Sequence, residues 1–179
     1  VTGQQAYRGQ KTVYELLPPE FHSEGWVPVG RLDKATSGLI LFVREGRLVF
    51  KLQKPGNLEK VYEVWVRGPV EPEHLEKIRE GVLTPIGILK AKAIEILGED
   101  GNRTYARVVL DEGKNRQVRR LFAALWDKER QKPLKVLDLK RTHFGPIALD
   151  LEPGQWRFLT DGEVEQLLGG TVNPPAYPS

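Results

Sequence analysis

The chain has 179 residues, 40% hydrophobic and 8% aromatic, enough for one ordinary domain with a proper core. It contains no cysteine, which excludes disulfides, thiolate metal sites and a cysteine nucleophile. No apolar run approaches the ~18 residues of a membrane span and no secretory signal is read, so a cytoplasmic protein is expected. The formal net charge is only +3, yet residues 103–147 carry twelve basic and five acidic side chains, a concentration suited to a polyanion.

Taken in order, residues 1–10 are polar, and Thr12 to Leu17 read as a short helix stopped by Pro18-Pro19. Trp26 to Gly30 and Leu39 to Val43 are short, apolar strands. Between them runs Gly30-Arg31-Leu32-Asp33-Lys34-Ala35-Thr36-Ser37, which places one carboxylate in the connection. Arg47 to Gln53 is helical and ends at Pro55-Gly56, and Val61 to Val66 reads as a strand. Pro72 to Arg79 has proline and acids in its first turn and Leu75, Ile78 and Val82 at helical spacing. Ala91 to Leu97 and Thr104 to Leu110 are strands joined by a turn at Glu99-Asp100-Gly101-Asn102. Arg116 to Trp126 presents Val118, Leu121, Phe122 and Leu125 on one helical face, and a charged loop, Trp126 to Pro133, follows. Lys135 to Leu139 and Trp156 to Leu159 are later strands, and Asp161 caps a last helix through Leu168. The expected fold class is α+β, a mixed, largely antiparallel sheet flanked by helices over residues 1–172, with a proline-rich tail at 173–179.

Two segments carry chemistry. Asp33 beside Arg31 and Lys34 reads, alone, as a surface ion pair. Further on, Lys114, Arg116, Arg119 and Arg120 put four cations within seven residues, with Arg116, Arg119 and Arg120 spaced to share a helix side. Cations in a first helical turn oppose the helix dipole, which favours a functional reason for them. Arginine forks suit phosphates or a carboxylate, Asp33 among them. His22, His74 and His143 have no ligand spacing, so no metal is expected and each reads as a surface or packing residue.

Together these residues resemble the pseudouridine synthases, specifically the RsuA-type ribosomal RNA group. The match rests on Gly30-Arg31-Leu32-Asp33 with Thr36-Ser37-Gly38-Leu39, on Lys60-Val61-Tyr62, and on Gly113 to Arg120. It continues in Leu139-Lys140-Arg141, Gly145-Pro146 and Pro153 to Leu159. Glycine before Arg31-Leu32-Asp33 and the Asn115 to Arg120 wording favour this branch over the RluA-like one.

The resemblance implies isomerisation of uridine to pseudouridine in ribosomal RNA without metal or cofactor. It implies Asp33 as the catalytic carboxylate, Tyr62 stacked on the target uracil, and Arg119 as the cation that keeps a buried Asp33 ionised. Arg31, Lys60, Lys114, Arg116, Arg120 and Arg141 are RNA-binding candidates, and Leu139 the apolar floor beneath the base. A 23S target is favoured over 16S, and a monomer is the default. The family's Lys-Pro strand expected before Val1 is absent, as a truncated N-terminus would give, and the S4-type domain is absent too, either removed or never present. A non-catalytic basic RNA-binding module is the alternative; it needs the basic helix but not Asp33 and Tyr62 together. A glycoside hydrolase would want a second carboxylate.

Overall fold

The computed structural model describes residues 13–169; the leading residues 1–10 and the proline-rich 173–179 lie outside them. A 3-10 turn at Val13–Leu16 and a short helix α1 (Glu20–Ser23) precede β1 (Val27–Pro28), β2 (Thr36–Gly38), β3 (Phe42–Val43) and α2 (Gly46–Gln53). Then come β4 (Lys60–Arg67), α3 (Pro72–Glu80), β5 (Val82–Thr84), β6 (Gly87–Leu89), β7 (Ala93–Asp100) and β8 (Arg103–Leu110). The rest is α4 (Gln117–Ala123), β9 (Trp126–Asp127), β10 (Lys132–Pro133), β11 (Lys135–Phe144), β12 (Ile147–Ala148) and α5 (Asp161–Gly169). No helix among these is long and apolar enough to cross a membrane.

The chain is α+β, built on a six-stranded sheet of order β12-β11-β4-β8-β7, with β2 also paired to β11. Its centre is the antiparallel pair β4–β8, matched from Lys60 opposite Leu110 to Arg67 opposite Arg103. The period of two sorts the side chains: Val64, Val66, Ala106 and Val108 turn inward, while Glu63, Trp65, Arg103 and Tyr105 take the other face. Pairing is antiparallel throughout this sheet except at β2, which runs parallel to β11.

The inward face is covered by helices. Ile78 of α3, and Val118, Leu121 and Phe122 of α4, join Val64, Val66 and Val108 in the main core; each large side chain so buried stabilises by about 1.5–3 kcal/mol. Helix α3 starts on Pro72 with Glu71 as cap, where the Glu71 amide donates to His74 Nδ1 at 2.9 Å. That bond leaves the proton on Nε2, which lies 3.0 Å from the Trp126 carbonyl, so a buried histidine ties α3 to β9. A second, smaller core of Val29, Leu41, Leu52, Leu58, Phe144, Ile147 and Leu167 fastens the β1–β3 pair, α2 and α5 to the end of β11. Both ends of the Asp33 loop are anchored there, at Val29 and Leu41.

Several expected elements differ. The strands expected at Trp26–Gly30 and Leu39–Val43 shrink to two residues each, because the chain between them detours to pair Thr36–Gly38 with β11 instead. Trp156–Leu159 is not a strand: Trp156 and Phe158 enter a ring cluster with Phe21 and Trp26, with Phe21–Trp156 centroids 4.8 Å apart. The charged segment after α4 is not an open loop but a β9–β10 hairpin, closed by Asp127, which accepts the Glu129 and Arg130 amides at 3.0 and 3.2 Å. Val82 leaves the α3 pattern for β5, since Gly81 (φ 135°) ends the helix.

Gly38 has φ 111°, and a Cβ there would sit 2.2 Å from the Arg141 carbonyl oxygen and 2.6 Å from its nitrogen. Gly38→Ala is therefore expected to cost about 3 kcal/mol, a Tm fall of roughly 6–12 °C for a chain of this size. Thermal unfolding followed by circular dichroism checks it; an unchanged Tm would show that β2 does not need this approach.

Candidate active site

The parallel ladder of β2 sets the site. It places Thr36, Ser37 and Gly38 opposite Leu139, Lys140 and Arg141, so the turn just before it, Asp33 to Thr36, sits at the edge of the sheet. Asp33 builds that turn itself: its Oδ1 accepts the Ala35 amide at 3.1 Å and the Thr36 hydroxyl at 2.7 Å, and its carbonyl accepts the Thr36 amide at 3.0 Å. The other carboxylate oxygen is left for α4. Arg119 Nε donates to Asp33 Oδ2 at 3.1 Å across 86 residues of sequence, while its Nη2 donates to the Ala35 carbonyl at 2.9 Å and Thr36 Oγ1 at 3.3 Å. One guanidinium thus reads three acceptors of one turn. Arg31, the sequence neighbour, is exposed and makes no ion pair with Asp33.

Both members of this pair are mostly sheltered, with side-chain exposures of 14% for Arg119 and 24% for Asp33. Burial pushes the Asp33 carboxyl up, but the Thr36 hydroxyl, the Arg119 charge and hydrogen bond, and the charge of Arg116 outweigh it. Asp33 is held below the usual carboxylate range, and so is ionised at neutral pH.

The sheet face beside this turn carries the other candidates. Tyr62 stands opposite Arg141 across the β4–β11 ladder, and Arg141 stands opposite Gly38 on its other side. Tyr62 is half-buried against the main core. Leu139, flanked by Thr36 and Val64, is buried in that core. Lys60 and Arg141 are buried rather than displayed, at 5% and 4% exposure, and both lean on the Phe144 ring, 5.3 and 5.2 Å from its centroid. Burial pushes the Lys60 ammonium down, Arg141 adds to that, and Asp111 opposes it. Arg141 Nε donates to the Leu39 carbonyl at 2.9 Å, but its Nη2 is buried with no hydrogen-bond partner, alone among side-chain atoms of the described residues. A donor left so costs about 1–3 kcal/mol.

The basic segment differs from a plain helix. Arg116 is the N-cap of α4 in the left-handed conformation (φ 51°, ψ 35°), so it does not share a helix face with Arg119 and Arg120. It is exposed, as is Lys114, which lies 3.8 Å from Glu112. Arg120 turns back on the preceding loop, donating to the Asn115 carbonyl and side chain at 3.0 Å each. Three residues given no role from sequence hold the arrangement: Thr36 on Asp33, Phe144 under the two buried cations, and Gln117, 3% exposed, at the start of α4. Thr36 and Gln117 lay within the stretches that carry the resemblance, while Phe144 had no signal in the sequence. A concavity of about 530 Å³ between Pro69–His74 and Trp126–Glu129 contains none of these residues, and its Glu71, Glu73 and Glu129 do not suit phosphates.

The described residues thus bring together a carboxylate held ionised by an arginine from a distant helix, at the edge of an α+β sheet and beside a basic turn. Residues 2–124, which include Asp33, Tyr62 and Arg119, match the family described as RNA pseudouridylate synthase. A Xylella fastidiosa protein named ribosomal large subunit pseudouridine synthase B is 36% identical over 175 residues, 93% of this chain and 35% of that protein. An Aquifex aeolicus protein named uncharacterized RNA pseudouridine synthase is 35% identical over 161 residues, 89% of this chain and 61% of that one. A crystal structure of a pseudouridylate synthase superposes with a TM-score of 0.74 at 31% identity, covering 87% of this chain and 65% of that one. The chain belongs to the RNA pseudouridylate synthase family. It spans between 35% and 61% of the length of the two named relatives.

Because the folded pKa of Asp33 is lowered, its ionisation stabilises the fold above the ordinary carboxylate pKa of about 4, and this is lost as pH falls through the lower folded value. Arg119→Gln leaves burial less opposed, so the Asp33 titration is expected to move to higher pH. Carbon-13 NMR of the carboxyl through an acid titration reads this directly; an unmoved midpoint would show that Arg119 does not hold the charge.

Proposed function

We propose that this chain carries the catalytic centre of a ribosomal RNA pseudouridine synthase, with Asp33 as its essential carboxylate. The observation that carries this reading is the Asp33–Arg119 pair at 3.1 Å, with the carboxylate ionised in a sheltered turn. Large-subunit RNA is the favoured substrate, as the names of the relatives suggest for their own targets. A cytoplasmic monomer fits such a role.

The reaction is redox-neutral and internal to one nucleotide. The bond from N1 of uracil to the ribose carbon breaks, the base turns, and C5 bonds to that carbon; C5 then loses its proton, and N1, which carried none in uridine, gains one. An ionised carboxylate serves this chemistry either as a nucleophile or as a base toward the sugar, and Asp33 is kept in that form. Tyr62, half-buried and opposite Arg141 in the β4–β11 ladder, is read as the ring that stacks on the turned base, and Leu139, between the strands that carry Thr36 and Val64, as the apolar floor beneath it. The target base must first leave its stack, at a cost of a few kcal/mol; exposed Arg31, Lys114 and Arg116 are suited to the phosphates around it. Arg120, tied to Asn115, is better suited to shaping the turn than to leading that contact.

Asp33→Asn is expected to abolish isomerisation while leaving RNA affinity within about threefold of wild type, since charge is removed but shape kept. Tritium release from 5-tritiated uridine in large-subunit ribosomal RNA measures it. Full release by the variant sinks the assignment, and a wild-type chain that binds RNA without any release favours the non-catalytic module. For the basic turn, Arg116→Ala is expected to weaken RNA binding and to lower the slope of log affinity against log salt by about one. A slope equal to wild type would remove Arg116 from the phosphate contacts.

A further inference from the structure

The β5–β6 hairpin wears its apolar side outward. Its first pair, Val82 and Leu89, faces the main core at 7% and 1% exposure. The next pair, Leu83 and Ile88, is 77% and 68% exposed, and Ile86 at the tip is 44% exposed. Directly opposed residues of an antiparallel pair have Cβ atoms about 5 Å apart, so Leu83 and Ile88 form one continuous aliphatic surface. The hairpin is also stiff. Thr84 Oγ1 donates to the Gly87 carbonyl at 2.6 Å and accepts the Ile86 amide at 3.4 Å, which closes the tip from inside.

A second observation says what this surface adjoins. Gln117 is buried, and its amide is a three-way brace that the Asp33 site does not use. Its Nε2 donates to the carbonyl of Lys90, one residue beyond β6, at 2.8 Å and to Glu112 Oε1 at 3.0 Å; its Oε1 accepts the Lys114 amide at 3.2 Å. One side chain therefore joins the root of the hairpin to the basic turn that opens α4. Exposed Lys90, Lys114 and Arg116 border this junction, two residues before Arg119 reaches Asp33.

We propose that the outer face of the hairpin, Leu83, Ile86 and Ile88, is a second RNA contact that packs against unstacked bases beside the target nucleotide, while the adjoining cations hold the phosphates of the same strand. The proposal rests on the reading that this chain acts on RNA. Charge complementarity favours RNA over a protein as the occupant: the root of the hairpin is tied through Gln117 to a turn that displays Lys114 and Arg116, with exposed Lys90 beside it. An enzyme that extrudes a base also leaves neighbouring bases short of stacking partners, and aliphatic side chains fill such gaps in other nucleic-acid complexes.

The double variant Leu83→Ser/Ile88→Ser alters only exposed side chains, and circular dichroism verifies that it folds. Filter binding to transcribed large-subunit ribosomal RNA across a salt series is expected to show affinity lowered about tenfold, because apolar contact area is lost. The salt slope should stay at the wild-type value, because no phosphate contact is removed. Ile86→Ser alone should lower affinity by a smaller factor at the same slope. Unchanged affinity in the double variant overturns the proposal. So does a wild-type dimer in sedimentation that the double variant dissolves without change in RNA affinity, which would make the face a contact between copies of the chain. Loss of RNA binding by the wild type itself would instead strike the underlying functional reading.

Discussion

Three residues of parallel pairing decide where the carboxylate goes. Thr36–Gly38 adds to the free edge of β11, and the turn that carries Asp33 is simply what comes before it. So short a ladder is weak by itself, and the structure reinforces it on both sides. Gly38 approaches the Arg141 backbone more closely than any side chain would allow, Leu39 N donates to the Arg141 carbonyl at 2.8 Å, and Arg141 Nε returns a bond to the Leu39 carbonyl at 2.9 Å. The second core then pins Val29 and Leu41, so the detour between them starts and ends on fixed points. Loop residues become catalytic candidates when a rigid scaffold holds them this way.

The electrostatics follow from that placement. Arg119 is spread over Asp33, Ala35 and Thr36, which fixes the plane of its guanidinium and leaves the Asp33 carboxylate charged despite its shelter. Across β11 the field is positive as well, since Lys60 and Arg141 are buried together against Phe144. Two cations in one apolar place raise the cost of each, and the lowered Lys60 pKa expresses that cost.

The sequence made some of this legible. The helix over Gly46–Gln53, the strand at β4, the β7–β8 hairpin and the existence of α5 follow from local periodicity and turn chemistry, so they could be read directly; the cap of α5 is not Asp161 but Thr160, whose hydroxyl accepts the Glu163 amide at 3.1 Å. The β2 strand could not: Thr36-Ser37-Gly38 has no strand pattern, and its pairing depends on β11, about a hundred residues away. The same holds for the position of Arg116, where the helix spacing of Arg116, Arg119 and Arg120 is correct as arithmetic but the left-handed N-cap breaks it. Burial of Lys60 and Arg141 was hidden because their partner, Phe144, is distant from Lys60 in sequence and close only across the β4–β11 ladder. The β5–β6 hairpin was missed because Val82 continues the helical spacing of Leu75 and Ile78, and only the positive φ of Gly81 breaks the run.

The start of α4 shows how these constraints meet. Cations crowd a helix N-terminus, where they oppose the dipole, and none of them caps an amide there. The structure compensates locally. Gln117 accepts the Lys114 amide from within, Arg120 folds back to satisfy the Asn115 carbonyl, and Arg116 takes the left-handed turn that redirects the chain into the helix. None of these devices would be needed by a helix that served packing alone, since Val118, Leu121 and Phe122 already anchor it to the core. What they secure is the direction in which α4 begins, and that direction is what brings Arg119 to Asp33 while leaving Arg116 and Lys114 facing solvent. The helix is positioned by its apolar face and aimed by its unfavourable end.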